Sequence, residues 1–197
     1  EEFSLQKPIT RNHTYEFIFH ELLGYVDLIN IKYFLVNLFL NDQDLGVYTV
    51  EESFSKELIE RQNRRNGPIF GLSEELGELF PNVRYELYSE NFWINNFPKL
   101  TSDLFSTLNN IKLGNFEIND HFDVDKWAKY FAIIDLTGAY HGSLSKSVKS
   151  YYNPTTGLFE PIGYDLHKGA GIFESFILLD FLQEENPKCS FLCDHKE

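Results

Sequence analysis

Three short stretches of the chain carry side chains able to do chemistry. Gly163-Tyr164-Asp165-Leu166-His167 puts an Asp just beyond an apolar run, where a loop can present its carboxylate to a hard divalent cation. Taken by itself, one such Asp fits an ordinary strand exit equally well. Ala139-Tyr140-His141-Gly142 places an imidazole where a helix hands over to a loop. That position suits a packed or capping His, because a helix C-terminus favours its cation, and it also suits an acid–base or phosphate-contacting group. Glu51-Glu52 closes a strand, and successive strand side chains face opposite sides, so one of the two carboxylates points inward. It is either a solvated acidic strand end or a group that orients a Lys or a metal. Cys189 and Cys193 allow one local bridge or two free thiols, and with His195 they read at most as a partial zinc site with no second ligand pair in view. Dinucleotide-binding, P-loop, nucleophile-elbow and His-Glu-x-x-His motifs are all absent from the sequence.

Positioning these groups requires both strands and helices. Phe3 to Leu5 reads as a short strand ended by Pro8, and Tyr15, Phe17, Ile18, Leu22 and Leu23 recur at helical spacing up to a stop at Gly24. Ile31 to Leu40 and Gly46 to Val50 flank the polar loop Asn41-Asp42-Gln43-Asp44 and predict a β-hairpin. Ser53 is the expected cap of a helix holding Leu58 and Ile59, and Pro68-Ile69-Phe70 is extended. The stretch from Leu79 to Pro98 reads as loop with short elements, and a helix covers Leu100 to Asn110. Asp123 caps a further helix whose apolar side is Trp127, Tyr130, Phe131, Ile134 and Leu136, ending near Gly138. Val148 to Tyr152 and Leu158 to Ile162 surround Asn153-Pro154-Thr155-Thr156-Gly157 as a second hairpin, and Ile172 to Leu182 reads as a packed helix. Strands followed by helices predict an α+β fold with a smaller β-rich lobe and a larger, mostly helical one.

Composition narrows the function classes. In 197 residues, hydrophobic side chains make up 43% and charged ones 24%, which is globular composition. Seventeen Lys plus Arg against thirty Asp plus Glu give a net charge of −13, which argues against general binding to a nucleic-acid backbone and suits a cationic partner or metal-assisted chemistry on a small anion. No apolar run is long enough to predict a membrane span. With no initiator Met and an abrupt end at Glu197, the chain is expected to be cut at both termini.

Three ordered blocks resemble the CotH kinase family, which includes spore-coat proteins. The strongest is Asn41 to Phe70, with Gly46-Val47-Tyr48-Thr49-Val50-Glu51-Glu52 and Gly67-Pro68-Ile69. The second runs from Phe131-Ala132-Ile133-Ile134-Asp135 through Gly138-Ala139-Tyr140-His141, and the third joins Tyr151 to Gly157 with Glu160-Pro161-Ile162-Gly163-Tyr164-Asp165. The resemblance implies a single CotH-like domain over 1–197, with a small lobe over about 1–75 and a helical lobe with a late hairpin over about 76–197. It also implies a reduced kinase-like fold that transfers phosphate from ATP to Ser or Thr of a protein, with Mg²⁺ or Mn²⁺, at a spore coat or outside the cell. By the same resemblance Asp165 holds the metal that bridges the phosphates, and Glu52 pairs with the nucleotide-contacting Lys. Phosphoryl transfer depends on positioning and on neutralising phosphate charge, which fits groups of these types.

The chain departs from the family pattern where spore-coat members carry a catalytic Asp and a metal-binding Asn. Those positions fall near His141-Gly142 and Ser147, and neither Asp nor Asn occurs from His141 to Tyr152. His141 is then the candidate proton acceptor and Ser147 the candidate second metal ligand. The nucleotide Lys is expected ahead of Phe3, with Lys7 as the fallback inside the chain. The alternative expectation is a kinase-like module that has lost its chemistry and serves in binding or surface assembly.

Overall fold

Alternating side chains over residues 33–52 fold as the hairpin that the sequence predicts. In the computed structural model, which describes residues 2–72, 85–144 and 146–167, β3 (Tyr33–Leu40) pairs antiparallel with β4 (Gln43–Glu52). The turn is tighter than its four polar residues imply. Asn41 and Asp42 alone form it, at φ 50° and 62°, because a two-residue primed turn needs positive φ at both positions and matches the strand twist. Gln43 and Asp44 are therefore ladder residues, opposite Leu40 and Phe39. The register then slips, with Leu38 facing Gly46, and Gly46 takes φ 81° at the resulting bulge. β1 (Phe3–Gln6) pairs with the other edge of β4, giving a three-stranded sheet in the order β1-β4-β3.

A second sheet is drawn from widely separated parts of the chain. β2 (Ile29–Asn30), β5 (Ile69–Leu72), β6 (Tyr85–Leu87), β7 (Lys149–Tyr152) and β8 (Phe159–Gly163) lie in the order β2-β8-β7-β5-β6. β7 and β8 form the expected late hairpin, with Gly157 at φ 76° in the turn. β2 runs parallel to β8, placing Ile29 opposite Ile162. This strand is only two residues long and merges in the sequence with the apolar run that follows it.

The helices are α1 (Tyr15–Tyr25), α2 (Lys56–Arg61), α3 (Glu90–Asn96), α4 (Pro98–Lys112), α5 (Ile118–His121) and α6 (Val124–Thr137). The fold class is thus α+β, as predicted. α2 begins after Ser55 rather than Ser53, whose N–H instead donates to the carbonyl of Glu2 and prolongs the sheet. α6 has the predicted cap, with the Asp123 carboxylate accepting from the Lys126 N–H at 3.2 Å, and it ends at Gly138 with φ 67°. Its buried face is Trp127, Tyr130, Ile133 and Ile134, whereas Leu136 is 82% exposed. Nine residues at about 100° each put Leu136 opposite Trp127, which is why it cannot share that face.

α1 corrects the sequence reading more deeply. The helix continues through Gly24, and Phe17 and Ile18 are exposed while Glu16, Phe19, His20 and Leu23 are buried. The buried set has regular helical spacing, but two of its four members are polar. Phe19 and Leu23 pack with Trp127, Tyr130 and Ile134 of α6 in one core that also takes in Leu166. A second core joins Ile29, Ile31, Leu58, Ile59, Ile69, Tyr151 and Ile162, and a third packs α3 and α4 beneath Phe70 and Phe159. Among the described residues, no helix is long and apolar enough to cross a membrane. The expected helix over 172–182 and both cysteines lie outside the described residues.

Candidate functional site

Asp165 leaves the sheet two residues after β8 ends, at φ 56°, and is buried. Leu166 anchors this exit by filling the α1–α6 core. The anchoring needs glycines nearby: a Cβ at Gly142 would collide with Leu166 Cδ2, and one at Gly163 with Leu23 Cδ1. The strained backbone and close packing hold the carboxylate in one place.

Four side chains converge on it. Ser147 Oγ donates to Asp165 Oδ2 at 2.9 Å, and His141 Nδ1 lies 2.9 Å from the same oxygen. Arg11 Nη2 lies 2.8 Å from Oδ1, and His167 Nε2 lies 3.4 Å from it. His141 sits in the 3-10 turn Tyr140–Ser143, which follows α6 and is held by the Tyr130 hydroxyl donating to the Gly142 carbonyl at 2.9 Å. The His141 N–H donates to the His167 carbonyl at 3.1 Å, and the two imidazoles stack with centroids 4.0 Å apart. One ring nitrogen of each imidazole and a carboxylate oxygen of Asp165 all lie within 4.8 Å of one another, so this trio can hold a metal ion.

The buried polar residues of α1 join the same cluster. Glu16 Oε1 accepts from the Leu166 N–H at 3.1 Å, and Glu16 Oε2 lies 3.2 Å from Arg11 Nε. Arg11 ends the 3-10 turn Pro8–Arg11 and so bridges Glu16 and Asp165. Burial alone would push the Asp165 carboxyl up, but hydrogen bonds from His141 and His167 and the Arg11 guanidinium hold it well below the usual carboxylate range. Burial opposes the charge on Arg11 as well, yet Asp165, Glu16 and Glu51 together raise its pKa.

Glu51 and Glu52 separate as a strand requires. Glu51 is buried, accepts from Gln6 Nε2 at 2.9 Å, and is pushed up to about 6 by burial and by Glu16, with Arg11 opposing. Glu52 faces away from this cluster, accepting from Arg61 Nη2 at 2.6 Å and from the Lys32 N–H at 2.7 Å. Of the residues singled out in the sequence, the structure brings together Asp165, His141 and Ser147; it does not bring Glu52 or the exposed Lys7 to them. Sequence reasoning missed Arg11, Glu16, His20 and His167. The available signal was the spacing of Glu16 and His20 with Phe19 and Leu23, since charged residues in phase with a core stripe need buried partners.

A second feature is linked to the cluster through one ring contact, Phe54 against Tyr164. A cavity of about 310 Å³ is lined by Phe54, Ser55, Lys56, Asn66, Tyr88 and Trp93 among others. The Phe54 ring packs 5.0 Å from Tyr164, the residue before Asp165, and 4.7 Å from Tyr88. The buried Lys149 ammonium lies 5.6 Å from the Tyr164 ring centroid and 5.9 Å from that of Tyr88, and donates to the Lys146 carbonyl at 2.9 Å.

The profile of the family described as CotH kinase protein matches residues 18–190. The chain belongs to the CotH kinase family. The match begins within α1 and takes in both hairpins and the Asp165 exit, so it covers His141, Ser147, Asp165 and His167 while Arg11 and Glu16 lie just ahead of it. A search of curated proteins finds no match. Membership in the CotH family makes the domain kinase-like.

Proposed function

We propose that this CotH domain is an ATP- and divalent-metal-dependent phosphotransferase acting on Ser or Thr of a coat or extracellular protein, with Asp165 at its centre. The observation that carries the reading is the convergence on one buried carboxylate of four side chains from three segments: Arg11, His141 with Ser147, and His167. The residues present fit a cation, because a carboxylate and two imidazoles face one another within ligand distance. A divalent ion bound there supplies charge neutralisation for the phosphates.

The chain's own residues divide the remaining work. Arg11, fixed by Glu16 and facing Glu51, takes the place expected of Lys7 as the cation beside the phosphates, and Glu51 takes the place expected of Glu52. Lys149 adds positive charge against Tyr164. The aromatic cavity beside Tyr164 is the site proposed for the base, since ligand pockets combine apolar walls with a few polar groups. His141 directs Nδ1 at Asp165 and acts through it, which assigns it to holding the carboxylate rather than to taking the acceptor's proton. The excess of acid, −13 over the chain, suits a basic protein substrate.

One observation favours the alternative of a binding or assembly module without chemistry. Asp165 is already engaged on both sides, by the Arg11 ion pair at Oδ1 and by Ser147 and His141 at Oδ2, although Oδ1 accepts no hydrogen bond among the described residues. Thermal unfolding with and without ATP and divalent ions separates the readings, because a ligand that binds only the folded state raises stability. The phosphotransferase reading expects a rise in melting temperature that needs nucleotide and metal together and is lost in Asp165→Ala. No rise with any nucleotide would favour the module.

A further inference from the structure

We infer that the cation of this site is a first-row transition-metal dication, coordinated by His141 Nδ1, His167 Nε2 and the Asp165 carboxylate, and not a magnesium ion in an oxygen shell. The inference deepens the proposed function, on which its relevance to phosphoryl transfer rests. Metal–ligand bonds of about 2.0–2.2 Å place neighbouring ligand atoms about 3.0–3.5 Å apart in tetrahedral or octahedral geometry. His141 Nδ1 lies 2.9 Å from Asp165 Oδ2, and His167 Nε2 lies 3.4 Å from Asp165 Oδ1. These distances run to the two different carboxylate oxygens; one ligand atom from each of the three groups lies within 4.8 Å of the others, so a small closing movement brings them to the spacing that a single ion imposes.

The donor set decides the kind of ion. Imidazole nitrogen suits zinc, iron, cobalt and their neighbours, whereas Mg²⁺ demands near-octahedral oxygen and parts reluctantly with water. Beside Asp165 the protein offers two imidazoles, and the two other buried carboxylates of this cluster have partners of their own. Glu16 holds the Leu166 N–H and Arg11, and Glu51 holds Gln6. Ser147 is the single hydroxyl on Asp165, and it points its proton at the carboxylate.

The surroundings prepare the trio. The backbone His141 N–H bond to the His167 carbonyl holds the two residues side by side without a metal, and their rings, stacked with centroids 4.0 Å apart, have to tilt for both lone pairs to reach one ion. Ser147 hydrogen-bonds the carboxylate and Arg11 pairs with it ionically, which sets its orientation, as partners of ligating groups commonly do. Three carboxylates, on Asp165, Glu16 and Glu51, surround the one guanidinium of Arg11. That excess of negative charge accommodates a dication that Arg11 alone would repel.

Cobalt titration of the chelator-stripped 197-residue chain tests the assignment. The expected result is one equivalent of Co²⁺ with a visible d–d absorption band, displaced by Zn²⁺ and unmoved by a large excess of Mg²⁺. His141→Ala and His167→Ala should each weaken binding by about tenfold or more. His167→Asn, closer in size, repeats the test should the Ala variant lose its fold, with circular dichroism of the metal-free proteins as the check. The absence of a band, a band unchanged in the His167 variants, or displacement by equimolar Mg²⁺ would overturn the inference. Co²⁺ binding without any nucleotide binding supports the metal site while removing the phosphotransferase reading. ATP binding that needs only Mg²⁺, with no cobalt site, overturns the metal assignment and leaves that reading in place.

Discussion

Replacing Glu51 by Gln should stabilise the protein at neutral pH, although it removes a charge that faces an arginine. The Glu51 carboxyl is raised from 4.5 to about 6, chiefly by burial and then by Glu16, with Arg11 and Gln6 pulling it back only partly. A raised carboxyl means that between about 4.5 and about 6 the native state holds a proton that the unfolded chain has released. Its contribution is therefore fully present below 4.5 and lost as pH rises through about 6. Above that, the ionised side chain costs the native state about 2 kcal/mol. Glu51→Gln keeps an acceptor for Gln6 Nε2 and removes the cost, so the melting temperature at neutral pH should rise by roughly 4–8 °C for a chain of this size. The gain should shrink towards zero below pH 4.5, where wild-type Glu51 is itself neutral. Unfolding followed by circular dichroism at stepped pH checks both limbs. Equal or lower stability at neutral pH, or a gain as large at pH 4 as at pH 7, would refute the view that Glu51 sits buried against Glu16 with its charge incompletely compensated.

Asp165 has the opposite sign: its lowered carboxyl contributes stability above the unfolded value of 3.8 that is lost in strong acid. Ser147→Ala removes a 2.9 Å donor to it and should cost about 1–3 kcal/mol in urea titrations at neutral pH, and less in acid. Arg11→Met strips the guanidinium from both Glu16 and Asp165, so the same titrations should show a loss of about 3–5 kcal/mol. Glu52→Gln, compared with Glu51→Gln, should leave any nucleotide-dependent rise in melting temperature intact, because Glu52 serves Arg61 and the Lys32 N–H. On α6, Ile134→Ala should cost about 2–5 kcal/mol by chemical denaturation, and Leu136→Ala within about 0.5 kcal/mol of nothing.

The parts of the fold legible in the sequence are those governed by local chemistry. Both hairpins, the Asp123 cap and the Gly138 stop follow from turn residues and side-chain periodicity over a few positions. What escaped was set by distant partners. β2 is a strand only because β8 lies beside it, and Ile29 belongs to Ile162 across more than half the chain. Apolarity does not mark the buried face of α1, because Glu16 and His20 are inside: Glu16 meets Arg11 and the Leu166 N–H, and His20 packs beside it with Nε2 3.6 Å from Glu16 Oε1. Asp165, His141 and Ser147 were legible as a set through the family pattern and do meet in space. The choice between Glu51 and Glu52 was not, since strand alternation says that one carboxylate points inward but the partner strands decide which. Arg11 was passed over because its role depends on a turn that carries it to two acids far along the chain.

Transfer of labelled phosphate from ATP to a Ser/Thr-containing protein by the 197-residue chain, wild type against Asp165→Asn, is the most direct test of the account. Asn keeps the size of the side chain and removes the charge on which Arg11, His141 and Ser147 converge. The account predicts metal-dependent labelling by the wild type, abolished in Asp165→Asn while the variant remains folded. Equal labelling by the two proteins would contradict it.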